Sequence, residues 1–249
     1  MRVSGLIVAI GMLLSTQGVC ADPSAWFPGL ARLDLKDERV RVWYPKDHSR
    51  AVTTPPAYLK DFNEAGVYIA APLMLDLGHG LPTLALACDS GPSNDPTCRL
   101  LTRPDDPDSV IFESAGNDFV FLPTADIYVF GDNDYTYDHR RLFRFDGKRF
   151  AEVLQPFRYV GIESRTNAAL ELTAVRDADM KKGDAKQVLV TLAAGTPLTI
   201  LMNAATGDNE YGQNPDYLVR TREGIVGWAH IPTKPDGTTI VDKLRYNGD

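Results

Sequence analysis

"HRRLFRFDGKRFAEV", His139 to Val153, sets three phenylalanines, Phe143, Phe145 and Phe150, among basic residues and interrupts them with Asp146-Gly147. A two-residue Asp-Gly turn accepts positive φ at both positions and matches the twist of paired strands. The stretch therefore predicts a hairpin with the three rings on its buried face and Arg144 and Lys148 outside. The same short-period texture continues on both sides, in "DFVFLP" (118–123), "ADIYVFG" (125–131) and "FRYVGIES" (157–164). Long helical periodicity is scarce, so the chain reads as mostly β.

Nearer the amino terminus, "RVRVWYP" (Arg39–Pro45) alternates as a strand with Val40, Val42 and Tyr44 on one face. "AGVYIAAPLMLDLG" (65–78) reads as a strand ending near Pro72, and "LPTLALAC" (81–88) as another. "PAYLKDFNEAG" (56–66) suggests a short helix closed by Gly66. "RDADMKKGDAK" (Arg176–Lys186) is charged and reads as an exposed loop. The expected organisation is a leader over 1–21, a β-rich or α+β domain over 22–165, and a small β-barrel with a tail over 166–249.

"GDNDYTYD" (131–138), just before the hairpin, holds Asp132, Asp134 and Asp138. Counted from Asp132, oxygen-bearing residues alternate as in an EF-hand loop. The sixth position is Tyr137 where that loop needs Gly, and the twelfth is Phe143 where it needs Glu. Other calcium geometries stay open, and no metal site or cofactor is expected. A His139 base oriented by Asp138 is disfavoured, because neighbours on a strand point to opposite faces. The GxSxG and HExxH motifs are absent, and His48, His79, His139 and His230 show no ligand spacing. His79 in "DLGHGLP" resembles an oxyanion loop, but turn chemistry accounts for its glycines. The aspartate stretch is expected to be a sheet corner whose carboxylates accept backbone hydrogen bonds.

The first residues combine Arg2, an apolar run from Leu6 to Leu14, and small residues at Val19 and Ala21. They read as a secretory leader cleaved near Ala21 and too short for a membrane anchor. Acylation of Cys20 is the lesser alternative, since Gln17 stands where a lipoprotein signal wants an aliphatic residue. Cys88 and Cys98 then remain, in "CDSGPSNDPTC". Two lone cysteines so close should pair in an oxidising compartment, which the leader implies: periplasmic or secreted. A net charge of −7 with no basic stripe argues against nucleic acid.

The last third carries Val175-Arg176, then Leu192, Gly195 and Thr196, then Tyr217, Val219, Gly224, Gly227 and Trp228. In order and spacing, from about Ala168 to Pro232, this resembles the bacterial SH3-like (SH3b) domain. That family shows a VR segment, an exposed loop, L-x-x-G-T, and an aromatic strand turning into G-W. Gly195 is expected at a tight bend where a Cβ would collide. Val219, Val226 and Trp228 are expected to close a small core inside the barrel. The chain departs from the family at Asp216, where many members have Trp, and in the polar insert over 203–216.

The resemblance implies a groove that binds cell-wall peptide, to which Tyr211, Tyr217 and Trp228 are assigned, with a core role as the rival reading for Trp228. The functional expectation is a non-enzymatic exported protein that binds peptidoglycan peptide or an envelope protein. An inhibitor or immunity protein is one form of it, since acidic charge suits a basic target. The alternative is a wall-active hydrolase tethered by the SH3-like module.

Overall fold

A computed structural model describes residues 23, 27–33, 40–51, 73–89, 96–131, 136–204 and 214–245. The fold is mostly β, in three sheets. The expected leader, the helix over 56–66 and most of the strand read as ending near Pro72 lie outside the described residues. In chain order the first strands are β1 (Leu30–Leu33), β2 (Arg41–Pro45), β3 (Ser49–Ala51), β4 (Leu73–Leu75), β5 (Leu84–Asp89) and β6 (Thr97–Leu101). They are followed by β7 (Val110–Ala115), β8 (Asp118–Phe121), β9 (Asp126–Phe130), β10 (Arg140–Phe145) and β11 (Phe150–Glu152). The last six are β12 (Phe157–Arg165), β13 (Leu170–Thr173), β14 (Val188–Leu192), β15 (Pro197–Ala204), β16 (Asp216–Thr221) and β17 (Val226–His230).

Two of the sheets, β1-β2-β8-β9-β10-β11 and β3-β4-β5-β6-β7, share one core. Val40 and Val42 enter it from the first sheet and Tyr44 packs beside them, as the alternation of "RVRVWYP" predicts. Phe112, on β7 of the second sheet, meets Phe121, Phe143 and Phe150 edge-on at 5.3–6.0 Å between ring centres. Edge-to-face contacts place the positive rim of one ring on the negative face of the next. The opposite face of the first sheet is covered too, by Trp43, Val120 and Leu122 with Phe27 and Tyr128 around them. All four residues of β8 are therefore buried. Asp118 on that strand pairs with Arg41, its direct neighbour across the parallel β2–β8 ladder.

The expected disulfide is present: Cys88 and Cys98 stand opposite each other on β5 and β6 and are bonded. Phe143 and Phe150 of the quoted hairpin are buried in the shared core, with Phe145 packed against it. Its turn differs from expectation. The connection runs from Asp146 to Arg149, and only Gly147 has positive φ, at 101°. The Asp146 carboxylate accepts the N–H groups of Lys148 and Arg149, both at 2.9 Å. Those hydrogen bonds let a side chain do the work assigned to a second left-handed residue.

The third sheet runs β12-β15-β16-β17-β13-β14, antiparallel throughout. All six strands send residues into one core, among them Val160, Leu172, Leu192, Ile200, Val219 and Ala229. Among the described residues no ladder joins β14 to β12. Strand β12 falls on the amino-terminal side of the boundary expected at 165/166, yet it pairs with β15 of this sheet. Alternation predicts a strand but not its partner. The carboxy-terminal segment also packs inward, through Ile231, Val241 and Leu244.

Two further expectations are corrected here. Val219 is core, but Val226 is 44% exposed and Trp228 lies outside the core cluster. The register explains this: Val219 faces Gly227, and Trp228 faces Leu218 on the other side of the sheet. Gly195 does sit at a bend, with φ of 82°, but a Cβ there would meet nothing within 4 Å. Its requirement is the left-handed backbone, not space.

Candidate functional site

Successive residues of a strand face opposite sides, so the inward set Tyr217, Val219, Gly227 and Ala229 leaves Leu218 and Trp228 on the outer face. Cross-strand neighbours then line up in one row: Tyr159 on β12, Met202 on β15, Leu218 on β16 and Trp228 on β17. Tyr159 is 60% exposed and Phe157, two residues before it, 38%. Phe157 and Trp228 meet with ring centres 5.8 Å apart. Arg176, from the loop after β13, lies 5.3 Å from the Trp228 ring and 5.8 Å from Phe157. Asp179 fixes its guanidinium through two bonds of 2.6 and 2.7 Å. Each cation–ring contact is worth roughly 0.5–1 kcal/mol at an exposed site.

Beside Trp228 opens a cleft of about 250 Å³ with acids and bases on its walls, including Glu171, Asp177, Lys186, Asp216 and His230. Lys186 Nζ lies 3.2 Å from Glu171 and 3.9 Å from Asp177. His230 Nδ1 lies 2.9 Å from Asp216 Oδ1. Asp216 is buried, and its backbone carbonyl accepts from Asn203 Nδ2 at 3.1 Å. The arrangement offers aromatic surface, a fixed guanidinium and exchangeable carboxylate–ammonium pairs, which together suit a ligand carrying both charges.

Of the groove residues expected from sequence, Trp228 is on this face and Tyr217 is not. Tyr217 is 2% exposed and belongs to the core; its hydroxyl lies 3.1 Å from Thr136 Oγ1, and burial raises its pKa. It shares a face with Val219, and that parity excludes it from any outer groove. Tyr211 lies outside the described residues. Sequence reading missed Tyr159, Met202 and Leu218, whose common row depends on register, and Phe157, which comes from the strand before the expected module.

In sequence, the aspartate stretch lies between β9 and β10, which pair with each other. Asp138 accepts the Gly131 N–H at 2.9 Å; Asp132 and Asp134 lie outside the described residues. Tyr137 inserts into the core of the third sheet and donates to Asn203 Oδ1 at 3.1 Å. His139 is 1% exposed. Burial, then the nearby Arg158 and Arg141, lower its pKa to about 2. His79 is exposed at positive φ between two glycines, in a turn where Asp76 accepts the Gly78 N–H. Among the described residues no group of His, Cys, Asp or Glu is arranged to hold a metal ion, and no helix is long and apolar enough to cross a membrane.

Comparison with protein-family models finds no matching family, and comparisons with curated proteins and with solved structures find no match either.

Proposed function

We propose that this is an exported, non-enzymatic binding protein whose carboxy-terminal SH3-like unit takes a short peptide bearing both charges on its outer face. The observation that carries the reading is the row Tyr159, Met202, Leu218 and Trp228, with Arg176 fixed against its end. Apolar side chains aligned across four strands on one face, with Tyr159 exposed and the others half-buried, suit a docking surface, since a scattered set would gain little by being covered. The adjoining acids and bases can exchange their internal partners for a ligand's ammonium and carboxylate groups.

Export is supported by the leader-like first 21 residues and by the Cys88–Cys98 pair. The SH3-like reading is supported by pairing that links the motif-bearing strands, β13 to β14 and β17, and β16 to β15 and β17. Wall stem peptide or an exposed segment of an envelope protein is the expected ligand. The test is a pull-down with the purified chain on murein sacculi and on envelope extract. Saturable capture by sacculi assigns the wall peptide, and capture of a defined extract protein assigns the second source. Capture of neither rejects the proposal.

A further inference from the structure

The third sheet carries a second feature, displaced along β12, β15 and β16 from the aromatic row. A cleft of about 640 Å³ opens where β12, β15 and β16 meet the segment after Val241. Six charged side chains line it: Glu163, Arg165, Arg220, Arg222, Asp242 and Lys243. None of the six forms an ion pair among the described residues. Elsewhere the arginines are mostly matched: Arg41, Arg99, Arg103, Arg140 and Arg144 each hold a carboxylate. In a chain where acids outnumber bases by 33 to 26, a cleft with four unpaired cations is a local reversal of charge.

The fold keeps Glu163 and Arg220 apart. Glu163, Thr199 and Arg220 are direct neighbours across β12, β15 and β16, so Glu163 and Arg220 stand two strand spacings, roughly 10 Å, from each other. The segment bearing Asp242 and Lys243 is pinned to β12: the Asp242 N–H donates to the Arg165 carbonyl at 2.9 Å, and Ser164 Oγ donates to the Asp242 carbonyl. Lys243 is held there at φ of 63°, a left-handed backbone that non-glycine residues seldom adopt and that clusters at ligand sites.

We propose that this cleft binds an anionic saccharide. Guanidinium forks match carboxylate and phosphate oxygens two at a time, and Lys243 adds a mobile ammonium. The two carboxylates would repel a bare polyanion, but they accept hydrogen bonds from sugar hydroxyls. A ligand with both acidic groups and ring hydroxyls uses all six side chains, whereas an acidic peptide offers the carboxylates few donors. The volume suits one to three sugar rings. The site is separate from the Trp228 cleft, and its occupancy does not depend on that reading.

The test titrates the isotope-labelled full chain, followed by amide NMR at low salt, with trigalacturonate, glucose 1-phosphate, neutral maltotriose and tri-glutamate. Expected are saturable shifts at 163–165, 220–222 and 242–243 with one or both acidic sugars, the stronger telling carboxylate from phosphate sources. Maltotriose should leave these amides unmoved. Binding should fall at least tenfold in Arg220→Gln/Arg222→Gln and severalfold in Lys243→Gln, at unchanged melting temperature. Absence of saturable shifts with both acidic sugars overturns the proposal. So does equal or tighter binding of tri-glutamate or maltotriose, or an affinity that both variants retain.

Discussion

Replacing His139 by glutamine should flatten the acid limb of the stability curve. The imidazole is 1% exposed, and burial, with Arg158 and Arg141 nearby, takes its pKa from 6.5 to about 2. Because the folded value lies below the unfolded one, the unfolded chain binds the extra proton between those limits. Stability from this group is therefore complete above about pH 6.5 and drains away as pH falls toward about 2. The loss approaches about 1.4 kcal/mol per pH unit and amounts to about 2 kcal/mol between pH 7.5 and pH 5. Urea unfolding of both proteins at those two pH values measures it. The wild type should lose about 2 kcal/mol more on acidification than His139→Gln does. Comparing slopes removes any fixed cost of the substitution and the titration of other groups. Equal pH dependence would mean that His139 takes up its proton inside the fold, and the burial argument would be refuted.

Three other variants probe the fold. Cys88→Ser/Cys98→Ser opens a short loop between adjacent strands and should cost roughly 2–3 kcal/mol in urea unfolding. In Gly227→Ala the new methyl would lie 3.0 Å from the Thr173 carbonyl oxygen and 3.0 Å from Leu172 Cβ. A loss of about 1–3 kcal/mol is expected for such overpacking, read as a lower melting temperature. Tyr137→Phe removes the donor to Asn203 Oδ1, where the residue preceding β10 by three inserts into the core of the third sheet. It should cost about 1–3 kcal/mol, since a buried acceptor is left without its partner.

Local physics was legible in the sequence. Alternation around Val40 and Val42 and around the Phe143 hairpin places side chains on the faces they occupy, and "LPTLALAC" contains a strand as read. The disulfide was legible because only two cysteines follow residue 21 and turn residues separate them. What lay beyond reach was register and pairing at long range. Nothing near Arg41 announces Asp118 as its neighbour, and nothing in "FRYVGIES" says that β12 joins β15 instead of the hairpin before it. The candidate face suffered most, because its row is assembled from four strands. One error was avoidable: with Val219 assigned inward, period two already placed Tyr217 inward as well. The Asp146 turn shows the opposite case, where a side chain supplied the hydrogen bonding that the sequence pattern assigned to backbone.

The most direct test of the docking face is the affinity of Trp228→Ala and of Tyr159→Ala for whichever material, sacculi or envelope protein, retains the wild-type chain. Aromatic residues at the centre of a binding surface commonly carry about 2 kcal/mol or more, so Trp228→Ala should bind at least about tenfold more weakly. Tyr159, at the far end of the row and more exposed, should show a smaller loss. Wild-type affinity in both variants, with the fold intact by circular dichroism, would contradict the assignment of this face.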